Sequence, residues 1–207
     1  MNFRELGSYK KDIIHMFVAN ENIVNLVMPT VDDNRFEIGD NFLGGEFKTV
    51  ENGVEKTITL IGHCFDVPFL YTTIPDNRNA IFIDTSISKA DGESIKEMVV
   101  SIEIMCHKTN LKLNTPDRIK YIKKGLSGNR LDMIVQEIGL QLNSSRDFGI
   151  GRFKVSNRNP IKSYFANEDY FGKIMTYTCE DFMTDYAARS LNGNWKILFK
   201  SKNTRTN

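Results

Sequence analysis

Cysteines are few in this 207-residue sequence, and their placement favours neither a disulfide framework nor a metal cluster. Cys64, Cys106 and Cys179 are widely spaced and odd in number, and no two of them form a CxxC pair. We therefore expect three reduced, structurally inert thiols.

Long apolar runs and targeting signals are also missing. The first residues, MNFRELGSYKKD, lack the apolar core of a secretory signal peptide, and no stretch approaches the length of a membrane-spanning helix. The sequence therefore predicts a soluble protein that does not enter the secretory route and has no membrane partner.

A charge excess of either sign is absent too. Lys and Arg number 27 against 26 Asp and Glu, which gives a net charge of +1 and no global attraction to nucleic acid or anionic lipid. The hydrophobic content of 41% is that of an ordinary globular chain, and we expect one domain.

Catalytic and nucleotide-binding signatures are not found either: GxxxxGK[ST], GxGxxG, HExxH and GxSxG do not occur. The usual sequence evidence for nucleotide binding and serine hydrolysis is missing. We expect neither a bound cofactor nor a catalytic residue.

The clearest pattern that is present is an amphipathic helix after Asn129. Asn129 can cap its first turn, and Asp132 places negative charge at the positive end of the helix dipole. We expect Gln136, Glu137 and Gln141 to face water. The apolar stripe has helical spacing and consists of Leu131, Ile134, Val135, Ile138 and Leu142.

Alternating apolar residues predict several strands, and their order with the helices predicts the fold class. Residues Phe3 to Val27 favour two helical pieces interrupted at Asn20-Glu21-Asn22, and 97–107 should be a central strand. A strand at 148–156 should pair antiparallel with the last one. The predicted strands are 57–65, 80–88, 97–107, 148–156 and 171–181.

The predicted architecture is α+β, a mostly antiparallel β-sheet packed by helices on one side. Residues 1–182 would form the domain, with a helical arm at 1–28 and a loop or hairpin insertion at 31–56. Residues 183–207 would form a C-terminal extension.

Two constellations could carry metal chemistry. His63-Cys64 and Cys106-His107 offer zinc ligands, but neighbouring strand residues point to opposite faces, so each pair gives one ligand to a side. Glu46-Phe47-Lys48 matches the ExK element of PD-(D/E)xK nucleases, with Asp40 upstream as a metal ligand. The alternative for this acidic segment is a solvated loop.

Two basic clusters stand out in a chain that is otherwise neutral. Six cations with one acid, Asp117, lie between residues 112 and 130, and the tail after Asp185 has five cations and no acid. Each cluster could approach DNA phosphates or an acidic partner, or be a solvated surface. The candidate residues are Lys120, Lys123, Lys124, Arg130, Lys200 and Lys202.

Several segments, taken in order, resemble the neck proteins of tailed bacteriophages, the head-to-tail joining and tail-terminator (tail-completion) group. These segments are YKKDIIHMFVANENIVNLV, AIFIDTSIS, VVSIEIMCHK, GNRLDMIVQEIGLQLN, FGIGRFKVS and DYFGKIMTYTCEDF. The resemblance implies a virion protein without enzymatic activity, made in the host cytoplasm and located at the neck. Such a protein forms a hexameric or dodecameric ring, and its partners are the portal or connector and the tail tube or sheath.

A ring needs a heterologous interface on each subunit. From the resemblance and the residue types we expect interface residues in the N-terminal helix, in the loop 157–167 and in the tail. They are Ile13, Phe17, Tyr164, Trp195 and Phe199. The alternatives are the metal-dependent nuclease and a cytoplasmic interaction domain outside the virion.

Overall fold

A computed structural model of the chain describes residues 6–29, 36–51, 53–67, 77–92, 94–144, 152–156 and 160–180. Its main feature is a sheet that consists of β3 (Cys64–Phe65), β4 (Ala80–Asp91), β5 (Ser94–His107), β6 (Arg152–Val155), β7 (Ile161–Phe165) and β8 (Tyr170–Glu180). The strands lie in the order β3-β4-β5-β8-β6, with β7 also paired to β8. All neighbours are antiparallel except β3 and β4.

The helices cover one face of this sheet and share a core with it. The alternating residues of β5 from Met98 to Cys106 are buried on that face, as their period of two predicts. The prediction of an α+β fold with a central strand at 97–107 is confirmed. The helices are α1 (Leu6–Val18), α2 (Glu21–Val27), α3 (Ile38–Leu43), α4 (Thr115–Lys123) and α5 (Arg130–Ser144). None within the described ranges is long and apolar enough to cross a membrane.

Helices α1 and α2 form part of the core instead of an extended arm. Ile13 and Phe17 are fully buried in the same cluster as the sheet residues. This corrects the expectation that they form an interface, because their side chains already pack inside their own subunit. The predicted interruption at residues 20–22 is shorter in the structure, because α1 ends at Val18 and Glu21 and Asn22 already belong to α2. Asn20 caps α2, since its Oδ1 accepts hydrogen bonds from the N–H groups of Asn22 and Ile23 at 3.0 and 3.2 Å.

Helix α5 begins where the sequence predicts. The Asp132 N–H donates to Asn129 Oδ1 at 2.9 Å, and the Asn129 N–H donates to Asp132 Oδ2 at 3.0 Å, a reciprocal capping box. The predicted apolar stripe is buried throughout.

The polar face of α5 corrects one expectation. Glu137 is buried because α2 packs against α5, and it accepts a hydrogen bond from Asn22 Nδ2 at 2.9 Å. Gln141 accepts one from Asn20 Nδ2 at 2.9 Å. These side chains therefore tie the start of α2 to α5 instead of facing open water.

The acidic segment contains α3 and a separate two-stranded sheet, β1 (Gly45–Glu51) paired with β2 (Val54–Leu60). The single strand predicted at 57–65 is wrong, because β2 ends at Leu60 and β3 begins only at Cys64. Between them the chain turns past α3, and the His63 N–H donates to the Phe42 carbonyl at 2.8 Å.

Strands β6 and β7 lie end to end along β8 at the edge of the main sheet. β6 pairs with Tyr177–Glu180 and β7 with Phe171–Met175. The predicted antiparallel pair is confirmed for 152–155, whereas the expected loop 157–167 is a strand over its middle part because β8 offers it hydrogen-bonding partners. Residues 148–151 lie outside the described part.

Candidate interaction surfaces

Two backbone segments cross closely at the root of the hairpin β1–β2. Gly44 has a φ of 71°, and a Cβ at this position would lie 2.3 Å from Gly62 N. A Cβ on Gly62 would lie 2.3 Å from the Leu43 carbonyl oxygen. Only glycine permits so close a crossing of two backbones, so both glycines are required at the point where the hairpin leaves the domain.

The tip of the hairpin is exposed and partly apolar. Val50 and Val54 are 71% and 59% exposed, and Lys48 forms an ion pair with Glu55 at 3.3 Å. Nearer the root, the rings of Phe36 and Phe47 pack with centroids 5.0 Å apart. A lone two-stranded hairpin is marginally stable in water, so this tip is suited to contact with another surface.

The edge formed by β6 and β7 is a second candidate surface. Among the described residues, β8 is the only strand that pairs with either. Phe165 is 75% exposed and rests edge-on against Phe171, with centroids 5.1 Å apart, and Ile161 is 48% exposed. Exposed apolar side chains on an edge strand are a feature of sheet edges that accept another strand.

Tyr164, predicted as an interface residue, lies on the opposite face of β7 and is attached to the sheet. Its ring lies directly over Gly172, whose added Cβ would be 2.2 Å from Tyr164 Cζ. Its hydroxyl donates to Glu103 Oε1. A half-buried tyrosine held in this way positions β7 on β8, and Gly172 provides the space for its ring.

Five residues of the predicted basic cluster are exposed on α4 or next to its ends. We call Lys112, Arg118, Lys120, Lys123 and Lys124 the α4 surface; all five are exposed. Lys120 Nζ and Lys124 Nζ lie 5.7 and 6.0 Å from the centroid of the Tyr121 ring, and Lys124 also donates to Asn22 Oδ1. Burial first, and Asp117 second, raise the pKa of Tyr121, so that the ring remains a neutral acceptor for these cations. An open concavity of about 310 Å³ beside this surface includes Lys112 and Arg118.

Arg130 does not belong to that surface, which corrects its prediction as part of the patch. It is only 6% exposed; its Nε donates to the Asn110 carbonyl at 2.6 Å and its Nη1 to the Leu26 carbonyl at 3.1 Å. Leu26 is in the last turn of α2, where carbonyl groups need donors and where a cation is favoured. Arg130 therefore ties the end of α2 to the chain before α4.

The remaining predicted site residues, Trp195, Phe199, Lys200 and Lys202, lie outside the described part of the chain.

Asn79 is a buried residue whose role the sequence did not predict. Its Nδ2 donates to the Val27 carbonyl at 3.0 Å, its carbonyl is 2.7 Å from His63 Nδ1, and its Oδ1 accepts from the His107 N–H at 3.3 Å. Only the meeting of these distant segments reveals its role.

The residues of the two metal hypotheses lie in different environments. Cys64 and Cys106 are buried, and burial raises the pKa of both thiols, that of Cys106 to about 12. Glu46 and Lys48 lie exposed on β1, while Asp40 is on α3. Within the described residues no three His, Cys, Asp or Glu side chains are grouped to hold a metal ion.

Comparison with known proteins gives a family but no close relative of known structure. No curated protein and no solved structure matches the chain. The model of the family described as YomW matches residues 20–179, which include every described strand up to the next-to-last residue of β8. YomW is a phage-type protein name, which hints at a bacteriophage origin. The match covers well over half of the sequence, and the chain belongs to the YomW family.

Proposed function

We propose that the protein is a structural component of the bacteriophage particle that forms a homo-oligomeric ring at the head-tail junction. In this role it joins the portal or connector to the tail tube or sheath, as a tail terminator or completion protein, and it acts without catalysis. The observation that carries the proposal is the YomW family match, with its phage-type name, over residues 20–179.

The geometry supports a ring because the subunit has two unlike surfaces. The hairpin tip and the β6–β7 edge are both exposed and partly apolar, and they belong to different sheets. A cyclic assembly needs this arrangement, since one face of each subunit must dock on a different face of the next.

The α4 surface supports a position beside DNA. Its five cations would meet the phosphates of a genome that passes through the ring, by contacts that depend on salt and not on base sequence. Weak non-specific contact suits a channel, because a passing duplex must not be held at one register.

The ring is tested with the purified full-length protein. We expect light scattering to give six or twelve times the 23.7 kDa of one chain and negative-stain images to show rings with a central hole. We also expect the rings to bind purified portal or tail components. A strict monomer without affinity for either would refute the proposal.

The location and the absence of catalysis need their own tests. We expect mass spectrometry to find the protein in purified particles, and deletion of its gene to leave separate heads and tails. Its absence from particles would instead favour an interaction domain outside the virion. Incubation with DNA and Mg²⁺ or Mn²⁺ should give no cleavage; cleavage that is lost in Glu46→Ala would establish the nuclease.

A further inference from the structure

An open concavity lies where the chain before α4, the first half of α4 and the turn before α5 meet. Its volume of about 310 Å³ is roughly ten times that of one water molecule in the liquid, so it has room for more than a single small ion. Two of its walls are tied together, because the Arg130 N–H donates to the Leu111 carbonyl at 2.9 Å. The residues that line the concavity are Leu111, Lys112, Leu113, Arg118, Gly128 and Asn129.

Positive charge at this concavity is not neutralised by the domain itself. Lys112 and Arg118 are exposed, and within the described residues neither forms an ion pair with a carboxylate. Asp117 precedes Arg118 on α4 but is not among the lining residues, and Asp132 forms an ion pair with Lys173. A guanidinium and an ammonium at one concavity suit a phosphate group, which an arginine can hold through two parallel hydrogen bonds.

Neutral groups add a donor and an apolar wall to the two cations. Asn129 uses its Oδ1 to cap α5, and its Nδ2 has no hydrogen-bond partner among the described residues. Leu113 is buried and Leu111 is half-buried, and both line the concavity. Binding sites for small molecules combine apolar surface with a few polar groups that fix orientation. A bare inorganic anion would leave the apolar wall unused, whereas the carbon atoms of a sugar ring would cover it.

We propose that this concavity binds one sugar-phosphate unit, with the phosphate group at Lys112 and Arg118 and the sugar against Leu111 and Leu113. The same unit occurs in the backbone of DNA and in a free nucleotide. With DNA as the source, the site is a fixed point within the contact of the α4 surface and rests on the proposed function. Every nucleotide of a duplex presents this unit, so the site does not select a base sequence.

Calorimetric titration of the purified full-length protein with thymidine monophosphate, at constant ionic strength, tests the site itself. We expect saturable binding of one monophosphate per chain, weaker binding of inorganic phosphate and none of thymidine, which lacks the phosphate. Arg118→Met and Lys112→Met should each weaken the binding of the monophosphate by about tenfold or more, because each removes a charged donor. Both side chains are exposed, and an unchanged Tm shows that the variants are folded.

Lys120→Met is the matched control, because Lys120 is an exposed cation of the same helix that does not line the concavity. Its affinity for thymidine monophosphate should equal that of the wild type. Equal affinity in the wild type and all three variants, or no saturable binding at millimolar concentration, would overturn the site. Either result would leave the ring and the general DNA contact of the α4 surface in place.

Fluorescence anisotropy with a short duplex of mixed sequence distinguishes the two sources of the ligand. We expect thymidine monophosphate, at constant ionic strength, to displace the duplex from the wild type and from Lys120→Met. The weaker DNA binding of Arg118→Met should not respond to the monophosphate. Saturable binding of the monophosphate without any binding of the duplex would support the site with a free nucleotide as its ligand, and would refute the position beside DNA.

Discussion

Arg130→Met is the substitution that best separates a structural cation from a surface cation. Methionine keeps most of the apolar stem but removes the donors to the Asn110 and Leu26 carbonyls. A hydrogen bond from a charged group contributes about 1.5–3 kcal/mol, and a buried carbonyl left unpaired adds a desolvation cost. The substitution also removes the desolvation cost of the buried guanidinium, which offsets part of this loss. We expect the free energy of unfolding to fall by about 3 kcal/mol, which lowers the Tm by roughly 6–12 °C in a chain of this size.

Urea denaturation at fixed protein concentration measures the change, with Lys123→Met as the control. Lys123 is exposed on α4, so its substitution should alter the free energy of unfolding by about 0.5 kcal/mol or less. In a DNA-binding titration we expect the larger effect from Lys123→Met. Lys123→Met should lower the slope of log K against log salt by about 0.9, whereas Arg130→Met should not change it. Equal stability of Arg130→Met and wild type, or a lower salt slope in Arg130→Met, would refute the reasoning.

Three further predictions follow from local contacts. Asn129→Ala should lower the free energy of unfolding by about 1 kcal/mol in urea denaturation, and Asp132→Ala should lower it further, because Asp132 also forms an ion pair with Lys173. Their effects should not add in full, because the two side chains form one capping box. Gly172→Ala should displace the Tyr164 ring and cost about 1–2 kcal/mol by losing the bond to Glu103; a double-mutant cycle should show little further cost in a Tyr164→Ala background. The pKa of His15 is lowered from 6.5, mainly by burial and to a smaller extent by Lys11. The folded protein therefore favours neutral His15, and this contribution to the free energy of unfolding is present above pH 6.5 and is lost as the pH falls below it. Between about pH 7.5 and 5.5 the Tm should therefore fall less steeply for His15→Gln than for the wild type. Equal slopes of Tm against pH would contradict this.

The sequence by itself determined the elements whose signals are local. The capping residues before α5, its apolar stripe and the alternation along β5 depend on neighbouring positions and on the helical or strand period. These features do not depend on the partner that each element packs against. For this reason the α+β class, the start of α5 and the central position of β5 could be predicted, and the structure confirms them.

Only the tertiary structure decided which polar residues are buried and which strands are continuous. Arg130 and Glu137 have the spacing of surface residues, but the end of α2 supplies one carbonyl to Arg130 and its start supplies an amide to Glu137. The break between β2 and β3 comes from the crossing at Gly44 and Gly62, and β7 exists because β8 lies beside it. These outcomes depend on segments far apart in the chain, so no local pattern of residue types contains them.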